Sequence, residues 1–202
     1  MADNLSIFLR GLIMGITIAA PVGPIGVLCI RRTLADGKLT GFLSGLGAAT
    51  ADMLYGALTA FGFTFITDLL IGQKDLLKLL GGFFLLYLGI RTFISKPATE
   101  AARATGSGLL GAYFSTLFLT ITNPATIIAF IAIFSAMPVQ GSNSPLVLVA
   151  GVFAGSASWW LLLSFGVSLL RERVNQNTMV WINRISGTIV AVFGLIAILT
   201  IN

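Results

Sequence analysis

The chain has 202 residues, of which 56% are hydrophobic and 9% charged, and its mean hydropathy is +0.98. These values lie far outside the range of soluble globular domains and predict an integral membrane protein. The net charge of +5 does not indicate nucleic acid, because basic residues anchor the loops of a membrane protein. Histidine is absent and Cys29 is the single cysteine, which argues against a metal site and against any metal or redox cofactor.

Six apolar stretches follow one another along the chain. Each approaches or exceeds the roughly 20 residues that cross a hydrocarbon core as a helix. They lie at residues 5–30, 41–66, 76–94, 108–136, 146–170 and 182–201. The connections are too short for a separate soluble domain, and the first stretch is too long for a signal-peptide core. We therefore expect an all-α integral membrane protein of six transmembrane helices, with the first helix retained.

The basic residues are distributed unequally between the two sides of this predicted bundle. Nine fall in the first, third and fifth connections, namely Arg31, Arg32, Lys38, Arg91, Lys96, Arg103, Arg171, Arg173 and Arg184. The opposite side holds Arg10, Lys74 and Lys78. Because cytoplasmic loops are enriched in lysine and arginine, we expect the odd connections in the cytoplasm and both termini outside.

The segment AAPVGPIG, residues 19–26, interrupts the first apolar stretch. Proline lacks a backbone donor and clashes with the preceding helical turn, so Pro21, Gly23 and Pro24 together predict a helix break. The freed carbonyls and amides would then face a cavity, where water or a ligand satisfies them. A simple proline kink, supported by neighbouring helices, is the alternative.

The two halves of the chain resemble each other. TIAAP at 17–21 matches TITNP at 120–124, and AATAD at 48–52 aligns with AGSAS at 154–158. Two glycine pairs continue the match in the third and sixth stretches. Each half has three spans, an odd number, so the second half enters the membrane from the opposite side and the repeats are inverted. The first repeat covers residues 1–94, the second covers residues 108–202, and a cytoplasmic linker, 95–107, joins them. Inverted repeats with paired helix breaks, here at Pro21–Pro24 and at Pro124, are typical of transporters.

Asp52 is the one acid deep within an apolar stretch, about halfway along the second helix. A charge there is costly, so it must face the bundle interior or a wet cavity. We expect it to load and release a coupling proton, or to hold the ammonium of a substrate. A neutral carboxyl that serves only stability is the alternative. Its repeat partner, Ser158, cannot titrate.

Several neutral polar residues are candidates for the same site. Tyr55 follows Asp52 on roughly the same helical face, and Thr122 and Asn123 precede Pro124 at the matching depth of the second half. We expect them to line the cavity beside Asp52, while contact between helices is an equally plausible role for Tyr55.

The segment from Ala20 to Gly56 and TNPATIIAF at 122–130 resemble the LysE/RhtB family of amino-acid exporters. The similarity covers essentially the whole chain. It implies secondary active export of an amino acid or related metabolite across the bacterial cytoplasmic membrane, driven by a proton or another ion, with membrane lipid around it and a homodimer as a candidate assembly. Carried over by position, the helix-break residues are Pro21, Gly23, Pro24, Asn123 and Pro124, and the second-helix acid is Asp52.

Two other functions compete with amino-acid export. Relatives in the same superfamily export divalent metal ions, but hard cations need several oxygen ligands and Asp52 is a single carboxylate. A membrane redox protein would require two cysteines, and Cys29 stands alone. We therefore expect a transporter and not an enzyme.

Overall fold

The computed structural model describes residues 2–21, 23–61, 72–94, 106–123, 126, 129–130, 144–173 and 175–201. Within these ranges the chain is helical, without a β-strand. Its α-helices are α1 (Ala2–Ala19), α2 (Pro24–Asp36), α3 (Lys38–Ala60), α4 (Lys74–Phe93), α5 (Gly106–Ile121), α6 (Pro145–Ser168) and α7 (Gln176–Leu199). A short 3-10 helix, Arg171–Arg173, precedes α7. The all-α prediction is confirmed for this part of the chain.

Three of the described helices are long and apolar enough to cross a membrane alone: α4 from Asp75, α6 and α7. Helices α1 and α2 pass the same test as a pair, which makes up to four spans, and α5 is apolar but shorter. Large apolar side chains such as Phe83 and Leu162 are exposed on the outer faces, as lipid contact requires. The chain is a multi-pass membrane protein, and the six-span arrangement stays a prediction.

The break in the first apolar stretch is confirmed. Helix α1 ends at Ala19, and α2 begins at Pro24 at an angle of 84° to it. The predicted end of this stretch at Ile30 is wrong, because α2 continues to Asp36. Arg31 and Arg32 end the apolar pattern, but arginine is a good helix former and does not end the helix. The first connection is therefore Gly37 alone. There a φ of 104° lets the chain turn into α3.

Helices α1 and α6 run parallel in close contact. Gly11 lies against the backbone of Leu148, and Gly15 lies against the backbone of Val152. Helix α3 also runs parallel to α5, since Gly47 abuts Tyr113 and, further along both helices, Tyr55 contacts Ile121. The small residues of α1, α3 and α6 thus serve close helix packing. These contacts join elements of the first half to elements of the second.

Helices α4 and α7 run antiparallel. Gly82 lies against the backbone of Gly194, and Gly89 lies opposite Gly187. Without side chains at these positions the two backbones approach directly. In the described residues, glycine therefore lies at both ends of the contact between α4 and α7.

Helix α2 packs against α3, α6 and α7. Arg171 donates hydrogen bonds to the carbonyls of Leu34 and Ala35, at 3.2 and 3.3 Å, which satisfies the otherwise unpaired end of α2. Most of the predicted linker 95–107, and Pro124 with its predicted helix break, lie outside the described residues.

Candidate functional site

The broken first helix leaves two helix ends in the interior. Ala20 donates its amide to the carbonyl of Ile16 and closes α1. Gly23 is extended, with φ −109° and ψ −165°, and Pro24 occupies the first turn of α2. Proline is favoured there because its missing amide would have no helical partner. The sequence therefore starts α2 within the first apolar stretch, and the first amides of α2 have no partner within the helix.

A cavity of about 460 Å³ opens beside this break. Residues from all seven described α-helices and from the segment after α5 line it. Those that carry the argument are Pro21, Gly23, Pro24, Ile25, Gly26, Asp52, Lys78, Thr120, Asn123, Thr126, Trp160 and Thr200. Most of the remaining lining is apolar. The cavity thus combines an apolar wall with a few converging polar groups, as small-molecule sites do.

Asp52 lies on the cavity wall and is only 3% exposed. Ser156 of α6 donates its hydroxyl to Oδ2 of Asp52 at 2.7 Å. The expected repeat partner, Ser158, does not make this contact, since it is exposed and donates to Ala154 of its own helix at 2.6 Å. Residues two apart on a helix face different directions, so Ser156 is the position that meets the carboxylate.

Tyr55 does not line this cavity, and Thr122 lines an adjoining space that also contains Pro24, Lys78 and Asn123. Tyr55 donates its hydroxyl to the carbonyl of Ile121, the last residue of α5, and its ring packs 5.6 Å from that of Phe130. Thr122 donates to Phe118 in the preceding turn at 2.8 Å. Both side chains therefore also hold the end of α5 in place.

The segment after α5 continues into the cavity wall. Asn123 donates its amide to Thr120 at 3.3 Å, and Thr126 donates its amide to Asn123 at 3.0 Å. Both Asn123 and Thr126 line the cavity. Neutral polar groups from the second half therefore face the break of the first half, as the sequence predicts for Asn123.

Two cavity residues were not predicted from the sequence. Lys78 of α4 donates to the carbonyl of Thr200 at 2.6 Å and lies 3.8 Å from Asp75. Trp160, expected only to pack, is buried against Gly45 and also lines the cavity. Within the described residues its Nε1 has no hydrogen-bond acceptor, which is uncommon for a buried indole. A basic residue at the edge of an apolar stretch was the one signal that could have pointed to Lys78.

Comparison with known proteins agrees with this arrangement. A family model described as LysE type translocator matches residues 16–200. A Bacillus subtilis protein named as an amino acid efflux protein, YcgF, is 26% identical over 94% of this chain and 94% of its own length. The lysine exporter LysE of Corynebacterium efficiens is 25% identical over 89% of this chain and 92% of its own length.

A leucine efflux protein of Salmonella typhimurium is 26% identical over 61% of this chain and 59% of its own length. No solved structure matches the chain. The family model nevertheless spans nearly all of it, and the matched range includes the helix break and Asp52. The chain therefore belongs to the LysE type translocator family, a family of transporters and not of enzymes.

Proposed function

We propose that this protein is a secondary active exporter of an amino acid, and that Asp52 couples export to the movement of a proton by alternating access. The observation that carries the proposal is the position of Asp52, a buried carboxylate on the wall of a cavity beside the break between α1 and α2. Intramembrane acids in such positions are typical of ion-coupled transporters. The relatives named as exporters of lysine and leucine support an amino acid as the cargo.

The helix directions support six spans in two inverted repeats. If six spans alternate in direction across the membrane, spans one and five are parallel, spans two and four are parallel, and spans three and six are antiparallel. The pairs α1 with α6, α3 with α5, and α4 with α7 meet these three requirements. The broken pair α1 and α2 counts as the first span in this arrangement.

The contact between α4 and α7 supports the same symmetry. The sequence repeat relates Gly82 to Gly187 and Gly89 to Gly194. In space, Gly82 contacts Gly194 and Gly89 contacts Gly187. Exchange of the two halves therefore converts one contact into the other, which is the behaviour expected of a two-fold axis between inverted repeats.

The cavity chemistry fits an amino acid. The first amides of α2, at Ile25 and Gly26, line the cavity at the positive end of a helix dipole and would bind the carboxylate. Asp52, among the described lining residues the one acid, would bind the ammonium or exchange its proton. The apolar wall would accept the side chain of the cargo. Broken helices hold their cargo in this way in other transporter folds.

Orientation follows from the distribution of charge. Arg31, Arg32, Arg91 and Arg171 lie at one end of the bundle, which we call the basic end, and Lys78 lies towards the other. We place the basic end in the cytoplasm of a bacterial inner membrane, with both termini outside. A homodimer in this membrane is part of the proposal.

The test is counterflow of labelled amino acids in proteoliposomes, with and without a pH gradient. The panel covers basic, neutral and modified amino acids. We expect one of them to accumulate in the presence of a gradient, and we expect Asp52→Asn to abolish that accumulation. Asp36→Asn is the matched control, because it removes a carboxylate of the same size outside the cavity lining.

Two results would contradict the proposal. Gradient-driven accumulation by Asp52→Asn at the wild-type level would rule out coupling through this residue. Absence of flux for every amino acid, in protein that elutes as a folded species, would rule out the substrate class.

A further inference from the structure

A second cavity lies at the basic end, between α2 and α4. Its volume is about 260 Å³, and its described lining consists of Leu28, Arg31, Arg32, Leu88, Arg91 and Thr92. It shares none of these residues with the described lining of the cavity that contains Asp52. Three guanidinium groups thus surround one space in which the described lining includes no acid.

The hydrogen bonds of Arg32 leave its positive charge without a carboxylate partner. Its Nη1 donates to Ser44 and Thr116, each at 2.9 Å, and to the carbonyl of Ala112 at 3.1 Å. Its Nη2 donates to Ser115 at 2.9 Å. All four acceptors are uncharged and they occupy Nη1 and Nη2 without using Nε, so the positive charge of the guanidinium persists.

Arg91 adds a second charge from α4. It donates a long hydrogen bond of 3.4 Å to the hydroxyl of Tyr87, which also leaves the charge in place. Arg91 lies near enough to both Arg31 and Arg32 for their charges to repel. Arg31 pairs with Asp36 at 3.8 Å and donates to Asn183 at 2.9 Å. Like charges gathered at one cavity favour an anion within it.

We propose that this cavity binds a phosphate group, carried by an anionic lipid or present as a free ion. Guanidinium groups present a planar fork of donors that matches phosphate oxygens, and clusters of arginine are typical of phosphate sites. The lining has an apolar part, Leu28 and Leu88, and Arg91 lies one helical turn from Tyr87 and Ile94, which are exposed. This surface suits a lipid headgroup with its chains along α4, since basic pockets between transmembrane helices bind anionic headgroups.

The bound phosphate would bridge α2 and α4 at the basic end. Helix α2 packs on α3, α6 and α7, and α4 packs chiefly on α7, while Leu28 of α2 and Leu88 of α4 share one buried apolar cluster. An anion held by Arg32 of α2 and Arg91 of α4 would tie these helices together. Binding should therefore raise the temperature of unfolding by mass action.

The experiment uses the full chain purified in detergent. Short-chain phosphatidylglycerol, short-chain phosphatidylcholine and inorganic phosphate are titrated separately, with bound mass read by native mass spectrometry and stability by thermal unfolding. We expect phosphatidylglycerol to bind and stabilise, and we expect Arg91→Gln to weaken binding about tenfold, since charge-assisted hydrogen bonds are lost. Phosphatidylcholine should bind less, because its choline offsets the phosphate charge.

Arg184→Gln is the matched control. It removes an arginine of α7 at the same end of the bundle, where the guanidinium lies 5.8 Å from the ring of Trp181 and not in the cavity lining. Its binding should equal that of wild type. Arg91→Lys keeps the charge but loses the planar fork, so its affinity should fall between those of wild type and Arg91→Gln.

Each outcome bears on the proposal. Stabilisation by inorganic phosphate alone, lost in Arg91→Gln, would support the site and assign it to a soluble ion. Equal binding by wild type, Arg91→Gln and Arg184→Gln would overturn it, because a general attraction to positive charge would then suffice. Absence of binding of all three probes to folded wild type would overturn it as well.

Discussion

Substitution of Gly89 by alanine tests the close approach of α4 and α7. A Cβ at this position would lie 2.5 Å from the amide nitrogen and 2.8 Å from the Cα of Ala191. Ordinary contacts begin near 3.4 Å, so the two helices must separate by about 0.9 Å. Overpacking of this kind costs about 1 to 3 kcal/mol, whereas alanine gains up to about 1 kcal/mol over glycine in helix propensity.

We therefore expect Gly89→Ala to lower the free energy of unfolding by about 1 to 2 kcal/mol, or about 5- to 30-fold in the ratio of folded to unfolded protein. Gly111→Ala is the control, since a Cβ there meets nothing within 4 Å. It should leave stability unchanged or raise it. The assay is reversible unfolding in mixed micelles at increasing dodecyl sulfate. If Gly89→Ala is as stable as Gly111→Ala, the packing argument is refuted.

Three further substitutions test the site. Ser156→Ala removes the donor to Asp52 and should slow gradient-driven transport about 10- to 100-fold, whereas Ser158→Ala should transport normally; equal rates would contradict the contact. Tyr55→Phe should cost about 1 to 2 kcal/mol in the free energy of unfolding, because the last carbonyl of α5 loses its donor; an unchanged unfolding curve would argue against this role. Lys78→Met should raise the KM for export, measured by flux, and should lower the free energy of unfolding by less than about 1 kcal/mol, measured by an unfolding curve.

The features predicted correctly from the sequence depend on local chemistry. Pro21, Gly23 and Pro24 break a helix in almost any surroundings, and α1 and α2 are broken there. Asp52 had to face the interior because a carboxylate cannot face lipid at that depth, and it lines the cavity. Each inference needed only the residues themselves and the membrane as solvent.

The features that were missed depend on register and on distant packing. The repeat alignment relates Asp52 to Ser158, but it does not say which serine of α6 contacts the carboxylate, and in the structure Ser156 does so. Lys78 reaches the cavity only because α4 packs beside α7. Tyr55 had two expected roles, lining the cavity beside Asp52 or contact between helices, and only the packed helices show that the end of α5 accepts its hydroxyl.

The glycines of α4 and α7 illustrate the same limit. Their matching positions were visible as a repeat, but that each pair meets across an antiparallel contact is a property of the packed helices. Likewise, the apolar pattern of the first stretch stops at Ile30 but α2 continues to Asp36, because hydropathy indicates which residues lie in the membrane and not where a helix ends.

The most direct test of the central claim is proton movement driven by the cargo. Proteoliposomes that contain a pH-sensitive dye receive a gradient of the amino acid that the counterflow panel identifies, with no initial pH difference. The account predicts that wild type moves protons against the amino-acid flow, while Asp52→Asn exchanges amino acid without proton movement. Proton movement of equal size in Asp52→Asn would contradict coupling through Asp52.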